Sequence, residues 1–215
     1  MWILPTRSRP HNIDRLLRIY VETNASTPVW MRIDEDDPLV KAYSVNHPNW
    51  SVTVGRRKPL SDIYAEAFER FKNATFFGFI GDDVIPKTNK WDARLIEIAG
   101  SDGMSYPSGG HEDYSGAPHF VLGGDLVREI GWLALPGLDR LYIDQTWHDI
   151  AEFKGVLRHV PEVVLFHKHF SNGGALMDRT YRKFKKAEDK AIYENWRLNG
   201  YNQLIQKGEN HGNST

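Results

Sequence analysis

Two adjacent carboxylates follow a continuous apolar segment. Residues 75–80 read TFFGFI, and Gly81, Asp82 and Asp83 come next. Carboxylate groups at the end of a buried strand can hold a hard divalent cation through oxygen, and such a cation can neutralise a leaving diphosphate. Asp is also a favoured turn residue, so an exposed turn is the alternative for the same two side chains. The pattern therefore predicts either a surface turn or an acidic metal site at this strand end.

Two histidines form the second group of candidate metal ligands. His167 and His169 follow the apolar residues 163–166, which read VVLF. Neutral imidazole binds manganese and other transition ions. Because the chain contains no Cys, its side chains can bind a metal only through oxygen or imidazole. The alternative is a strand end at which one imidazole is hydrogen-bonded in the core and the other is solvated.

Two short basic loops are candidates for nucleotide binding. Pro5, Thr6 and Arg7 follow the first apolar segment of the chain, and Arg56 and Arg57 follow the third. Backbone amides and guanidinium groups in such loops can contact the base and the diphosphate of a nucleotide. Solvated surface charge is the alternative, and it fits at least one of the two arginines of the second loop.

The elements that must position these residues alternate between strand and helix. Apolar residues at helical spacing predict helices, and short apolar runs predict strands. The predicted strands are 2–4, 28–33, 50–54, 75–80, 103–106, 120–123 and 163–166, and the predicted helices are 12–23, 61–71, 91–99, 125–131, 144–153 and 178–199. This alternation predicts an α/β fold with a mostly parallel sheet, which binds ligands beyond the carboxyl ends of its strands.

Composition limits the classes of function. Lys and Arg number 27 against 28 Asp and Glu, a net charge of -1, so the chain lacks the overall positive field that holds a polyanion. No stretch approaches the roughly 20 apolar residues of a membrane-spanning helix, and no signal peptide is recognisable. The absence of Cys fits a reducing compartment, and a cytoplasmic location is expected.

Several segments together resemble family 2-type GT-A glycosyltransferases over roughly the first 180 residues. The similar blocks are ILPTRSRPHNIDRLL from Ile3, RIDEDDP from Arg32, FFGFIGDDVIP from Phe76, LYIDQTWHDIAEFKG from Leu141 and VVLFHKHFSNGGALMDRTY from Val163. The resemblance implies a single GT-A (Rossmann-like) domain over residues 1–178, with a central mostly parallel sheet flanked by helices. Residues 179–207 are expected to form a C-terminal helical extension packed on that domain, and residues 208–215 a disordered tail.

The resemblance also implies how the donor nucleotide is bound. Asp83 takes the metal-contacting position and Asp82 the position that faces the ribose, although the two could exchange roles. Of the two histidines, His169 is the one that resembles the family's metal ligand. The implied cofactor is Mn²⁺ or Mg²⁺. The family usually shows Asp-x-Asp here, whereas this chain has Gly81 at the first position.

Further donor contacts follow from the same resemblance. Asp34 resembles the acidic residue that reads the nucleobase edge, and because uracil is the family's common base, a UDP-sugar is the first donor to expect. Gly123 and Gly124 resemble the small-residue segment beneath the donor sugar, where a missing side chain permits close backbone approach. A plain glycine turn is the alternative for these two residues.

Asp144 resembles the catalytic base of the family. An acceptor hydroxyl is a poor nucleophile at neutral pH, so an inverting enzyme needs a general base beside it. The family's preceding Glu is Ile143 here, and capping of the following helix is the alternative role for Asp144. Trp132 and Trp147 are candidates for an acceptor platform but are better explained as packing residues.

Metal-dependent glycosyl transfer with inversion is thus the leading hypothesis, and the loop 111–114 is expected to close over the donor. A nucleotidyltransferase and a non-catalytic module that binds a nucleotide-sugar or carbohydrate are the alternatives. The chain has neither GxxxxGK[ST] nor GxGxxG, which argues against P-loop and dinucleotide-binding proteins. The acceptor stays open among a glycan, a protein, a small molecule and a modified nucleic-acid base, and so do the sugar and the oligomeric state.

Overall fold

The structure is a computed structural model that describes residues 1–109, 118–167 and 186–200 of the 215-residue chain. The strands are β1 Trp2–Thr6, β2 Val29–Asp34, β3 Trp50–Gly55, β4 Phe76–Phe79, β5 Val84–Pro86, β6 Met104–Ser108, β7 Phe120–Gly123 and β8 Leu157–His167. The helices are α1 Pro10–Glu22, α2 Leu60–Arg70, α3 Trp91–Ala99, α4 Gly124–Ile130, α5 Ile143–Phe153 and α6 Lys186–Asn195. A 3₁₀ turn covers Val40–Ala42, and a π-helical turn, Trp196–Gly200, follows α6.

Eight strands form one mixed sheet in the order β3-β2-β1-β4-β7-β6-β8-β5. The pairs β3–β2, β2–β1, β1–β4 and β6–β8 are parallel. The short strand β7 runs antiparallel to both of its neighbours, and β5 runs antiparallel to β8. The expectation of an α/β domain with a mostly parallel sheet is therefore confirmed.

Helices cover both faces of the sheet, because successive side chains of a buried strand point to opposite faces. One apolar cluster joins Ile3 and Phe77 to α2, α4 and α5, with Trp147 at its centre. The other joins Trp2 and Leu4 to α1 and α3. The sheet therefore lies between two helical layers, and the carboxyl ends of β1, β2 and β4 open on one edge.

The last described helix packs near the start of α5. The ring of Tyr193 in α6 stacks on Tyr142, with ring centroids 4.9 Å apart and an angle of 15° between the planes. The carboxylate of Asp189, also in α6, accepts hydrogen bonds from three successive backbone N–H groups of residues 139–141. These contacts attach α6 to the loop that precedes α5.

Two strands differ clearly from the sequence-based expectations, and the other described elements differ by a few residues at their ends. Strand β8 begins at Leu157, earlier than expected, because Leu157 to Val160 pair with β6 although only Val160 of these four residues is buried. Strand β5 was not predicted, because three residues carry too short a pattern. Of the expected helix 178–199, residues 178–185 lie outside the described residues, as do the loop 111–114 and the tail 208–215.

Candidate active site and metal cluster

A cavity of about 400 Å³ lies beyond the carboxyl ends of β1, β2 and β4. Among its lining residues are seven that the sequence had indicated: Pro5, Thr6, Arg7, Asp34, Arg57, Asp82 and Asp83. They meet because parallel strands bring their carboxyl ends to the same edge of the sheet. The volume is within the usual range for a small-molecule site.

The wall of this cavity carries more basic than acidic side chains. Six basic side chains line it, namely Arg7, Arg9, Arg32, Arg57, Lys58 and Arg140, against four acidic ones, Asp34, Asp82, Asp83 and Asp139. Guanidinium groups match phosphate oxygens in geometry as well as in charge. The cavity is therefore built to accept an anion, in a chain whose net charge is only -1.

Acidic residues from β2 and the turn after it hold the loop that follows β1. Arg7 contacts the carboxylate of Asp34 at 3.1 Å and also pairs with Asp36. The N–H of Ser8 donates to the carboxylate of Asp37 at 2.7 Å, with Ser8 in the left-handed region at φ 59°. The acidic cluster after β2 thus fixes the basic loop as well as lining the cavity.

Asp82 fixes the same loop from the other side. Its carboxylate accepts a 2.6 Å hydrogen bond from the Thr6 hydroxyl and contacts a guanidinium nitrogen of Arg9 at 3.0 Å. The residue is 5% exposed, and this burial raises the pKa of its carboxyl group above the ordinary value despite the Arg9 charge. Asp82 therefore organises the loop after β1, and the same Arg9 nitrogen also lies 3.7 Å from the carboxylate of Asp83.

Arg32 is a functional candidate that the sequence analysis missed. It is 2% exposed, lines the cavity and donates to the backbone carbonyl of Arg56 at 2.7 Å. Its guanidinium group also lies 3.9 Å from Asp34 and 3.6 Å from Glu66. The signal was present, since a charged residue interrupts the apolar strand VWMRID. The side chain of Arg56 is exposed and, unlike that of Arg57, is absent from the cavity lining.

Asp83 belongs to a cluster with two histidines. One potential ligand atom from each of Asp83, His119 and His167 lies within 4.8 Å of the others. Nε2 of His167 is 3.3 Å from Oδ1 of Asp83, and the two imidazole centroids are 4.8 Å apart. The other predicted histidine, His169, lies outside the described residues. The described chain therefore contains three side chains suited to one divalent cation.

His119 is the member of this cluster that sequence reasoning did not identify. Only 5% of the residue is exposed, and neither of its ring nitrogens has a hydrogen-bond partner within the described residues. Burial, reinforced by the neighbouring His167, lowers its pKa to about 3, so the imidazole is neutral at neutral pH. His119 reaches the cluster because antiparallel β7 begins beside the end of β4, where Phe120 pairs with Phe79. An isolated histidine before a four-residue strand gave no signal of this.

Asp144 lies in the first turn of α5, one residue after the helix begins. Tyr142 occupies the N-cap position in the left-handed region, so Asp144 does not cap the helix as the alternative proposed. Burial raises the pKa of the Asp144 carboxyl group, while hydrogen bonds from the backbone N–H groups of Gln145 and of Asp144 itself oppose that shift. Asp144 is not among the described residues that line the cavity.

Gly123 and Gly124 do not lie at the site. Gly123 pairs with Phe76, the first residue of β4, and is therefore at the end of the sheet opposite Asp82 and Asp83. A Cβ on Gly123 would lie 2.2 Å from the backbone of Ser101, and one on Gly124 would lie 2.2 Å from the carbonyl oxygen of Ala74. Close packing of the backbone explains both glycines, so their assignment to the donor sugar was wrong.

The two tryptophans considered for the acceptor are packing residues. Trp147 is fully buried, and its indole N–H donates to the backbone carbonyl of Leu133 at 2.8 Å. Trp132 is half-buried against the same apolar cluster, with its ring centroid 5.2 Å from that of Trp147.

Comparison with known proteins identifies the fold through structure alone. No protein-family model matches the chain, and no curated protein matches it in sequence. Its structure is similar to that of the mannosyltransferase PcManGT from Pyrobaculum calidifontis in complex with GDP-Man and Mn²⁺, at 12% identity and a TM-score of 0.60 over 84% of this chain. The chain shares the fold of this mannosyltransferase. It spans 57% of the length of that mannosyltransferase.

Two further solved structures share the fold. Rv0371C from Mycobacterium tuberculosis in complex with manganese matches 80% of this chain and 92% of its own, at 13% identity and a TM-score of 0.54. A mycobacterial protein matches 78% of this chain and 67% of its own, at 10% identity and a TM-score of 0.58. Within the described residues, no helix combines the length and the apolar character that crossing a membrane requires.

Proposed function

We propose that the protein is a metal-dependent glycosyltransferase that uses a nucleotide-diphosphate sugar. The observation that carries the proposal is the position of the cationic cavity directly beside the cluster of Asp83, His119 and His167. A nucleoside diphosphate needs positive charge along its phosphates and a cation at the bond that breaks. The fold shared with a mannosyltransferase solved with GDP-Man and Mn²⁺ supports this assignment.

The basic residues of the cavity would bind the donor. Arg9 and Arg140 stand near Asp83 and Asp139 in the lining, and Arg57 and Lys58 come from the loop after β3. Asp34, on the β2 side, remains the candidate for the nucleobase edge, with a UDP-sugar as the first donor to test. A divalent cation bound by Asp83 and His167 would offset the charge that develops on the leaving nucleoside diphosphate. The earlier candidate His169 stays a prediction.

Asp144 would act on the acceptor. A carboxylate oxygen at this position would accept the proton of the attacking hydroxyl, and transfer on the face opposite the nucleotide would invert the anomeric centre. Burial raises its pKa, which makes the ionised form a stronger base than an exposed Asp. The acceptor is unassigned, since loops rather than strand ends set its pocket.

Nucleotidyl transfer is a second candidate because six cationic side chains line the cavity. That number suits a triphosphate as well as a diphosphate. The released product separates the two reactions, since nucleotidyl transfer releases pyrophosphate and glycosyl transfer releases a nucleoside diphosphate.

The experiment is a thermal-shift panel of nucleotide sugars and nucleoside triphosphates with and without Mn²⁺. A ligand at 100 times its Kd adds about 2.7 kcal/mol of apparent stability, or roughly 5–11 °C in a domain of this size. We expect Asp83→Asn to lose the metal-dependent part of the shift, and Asp102→Asn, whose carboxylate is 71% exposed, to keep it. The proposal fails if no nucleotide sugar stabilises the protein, or if turnover of the bound donor is unchanged in Asp83→Asn.

A further inference from the structure

His119 is a buried residue whose imidazole nitrogens are unpaired among the described residues. Both ring nitrogens are enclosed, and neither has a hydrogen-bond partner within the described residues. An unpaired buried polar group is destabilising, so such groups are rare unless something else satisfies them. Since the neighbouring ring and carboxylate belong to His167 and Asp83, a shared cation is the partner that would satisfy all three at once.

The spacing of the three side chains suits a single ion. Two atoms bound to one metal at about 2.1 Å each are at most about 4.2 Å apart. The 3.3 Å between His167 Nε2 and Asp83 Oδ1 already satisfies this limit. The whole set lies within 4.8 Å, so the widest pair would close by about 0.6 Å to lie on opposite sides of one ion and by about 1.4 Å to take a tetrahedral angle, which side-chain rotation supplies.

Gly81 provides a second and independent observation. A Cβ built at this position would lie 2.7 Å from Oδ1 of Asp83 and 3.3 Å from Cε1 of His119. Any larger side chain would push into the space between the two potential ligands. The absence of a carboxylate at residue 81, which departs from the Asp-x-Asp pattern, therefore accompanies an imidazole that approaches the same place from β7.

The geometry points to a metal site with three protein ligands, Asp83, His119 and His167. This site binds a divalent transition ion in the absence of nucleotide, and it prefers such an ion to Mg²⁺. In this site His119 takes the place of the carboxylate that Gly81 lacks. Imidazole nitrogen suits transition ions, whereas Mg²⁺ prefers oxygen ligands in octahedral geometry and retains its waters. The role of the ion in catalysis rests on the proposed function, but its binding does not.

The test uses metal alone with the full chain. Calorimetric titration with Mn²⁺, and absorption spectra with Co²⁺ as a visible substitute, should show one ion per protein in the absence of any nucleotide. A tenfold excess of Mg²⁺ over the transition ion should fail to displace it. Absence of stoichiometric binding, or displacement by that excess of Mg²⁺, would overturn the inference.

Variants identify the ligand. His119→Phe fills the same buried space without unpaired nitrogens, so it should fold with at least wild-type stability while its affinity for Mn²⁺ falls at least tenfold. His159→Gln is the control, because that histidine is stacked on Tyr106 outside the cluster and its loss should leave affinity unchanged. Equal affinity in His119→Phe and wild type would overturn the role of His119.

The outcome is separable from that of the proposed function. Stoichiometric metal binding in a protein that no nucleotide sugar stabilises supports the metal site while removing the glycosyltransferase proposal. Turnover of a nucleotide sugar by a protein that binds no ion on its own overturns the three-ligand site and leaves the reaction in place.

Discussion

Asp189 gives the sharpest prediction about how α6 supports the cavity. Its carboxylate accepts backbone hydrogen bonds from Asp139 at 2.7 Å, Arg140 at 3.0 Å and Leu141 at 2.8 Å, and the residue is 1% exposed. Asp139 and Arg140 are lining residues of the cavity. Replacing the carboxylate would leave three N–H groups without their acceptor.

The magnitude follows from those three bonds. An unsatisfied buried donor costs about 1–3 kcal/mol, and because this loop is only partly buried we take about 1 kcal/mol for each N–H. Asp189→Ala should therefore lower the free energy of unfolding by about 3 kcal/mol, which is roughly 6–12 °C in Tm for a domain of this size. Asp189→Asn keeps one acceptor oxygen and should lie between the two.

Urea denaturation measures the stability, and hydrogen exchange at residues 139–141 measures the loop directly. Lys190→Ala is the matched control. Lys190 is next to Asp189 in the chain, but its side chain is exposed, and its 3.5 Å ion pair with Glu194 is worth only about 0.3–0.5 kcal/mol. Faster exchange at these three amides in Asp189→Ala alone is expected. A stability within about 0.5 kcal/mol of Lys190→Ala, with unchanged exchange, would refute the reasoning.

Three further predictions concern the proposed base Asp144, the contact between Asp37 and the loop after β1, and the two glycines. Asp144→Asn should lower the rate of transfer by a factor of about 10²–10⁴ with little change in donor KM. Because burial raises the pKa of Asp144, the wild-type rate should fall as the pH drops through that raised pKa. A flat pH–rate profile in acid would contradict this. Burial raises the pKa of Asp37, but hydrogen bonds from the backbone N–H groups of Ser8 and Leu39 outweigh this effect, so the pKa is lowered from its usual value of 3.8. The stability it supplies, about 2 kcal/mol, should be present above pH 3.8 and lost as pH falls through the lowered pKa, so Asp37→Asn and wild type should converge in acid denaturation. Gly123→Ala should lower the free energy of unfolding by about 1–3 kcal/mol in urea denaturation and leave donor KM unchanged. Gly109→Ala should cost far less, because no atom of the described residues lies within 4 Å of its added Cβ. A raised KM in Gly123→Ala would restore that glycine to the donor site.

The sequence determined the local elements and the part of the cavity at the strand ends. Apolar runs at strand and helical spacing placed nearly every element within a few residues, because such patterns depend only on neighbouring positions. Parallel strands then bring their carboxyl ends together, which is why Thr6, Asp34 and Asp82 meet in one wall as expected. Arg32 was among the lining residues that the sequence analysis missed, although its charge inside an apolar strand was visible.

Only the tertiary structure decided which residues join Asp83. Strand β7 pairs antiparallel with β4, and that single direction brings His119 to the metal cluster while it carries Gly123 to the opposite end of the sheet. The orientation of a four-residue strand is set by its partners on both sides and leaves no pattern in its own residues. The attachment of α6 through Asp189 is equally non-local, since 48 to 50 residues separate the bonded groups. Local patterns thus fixed where strands begin and end, and long-range pairing fixed what lies beside them.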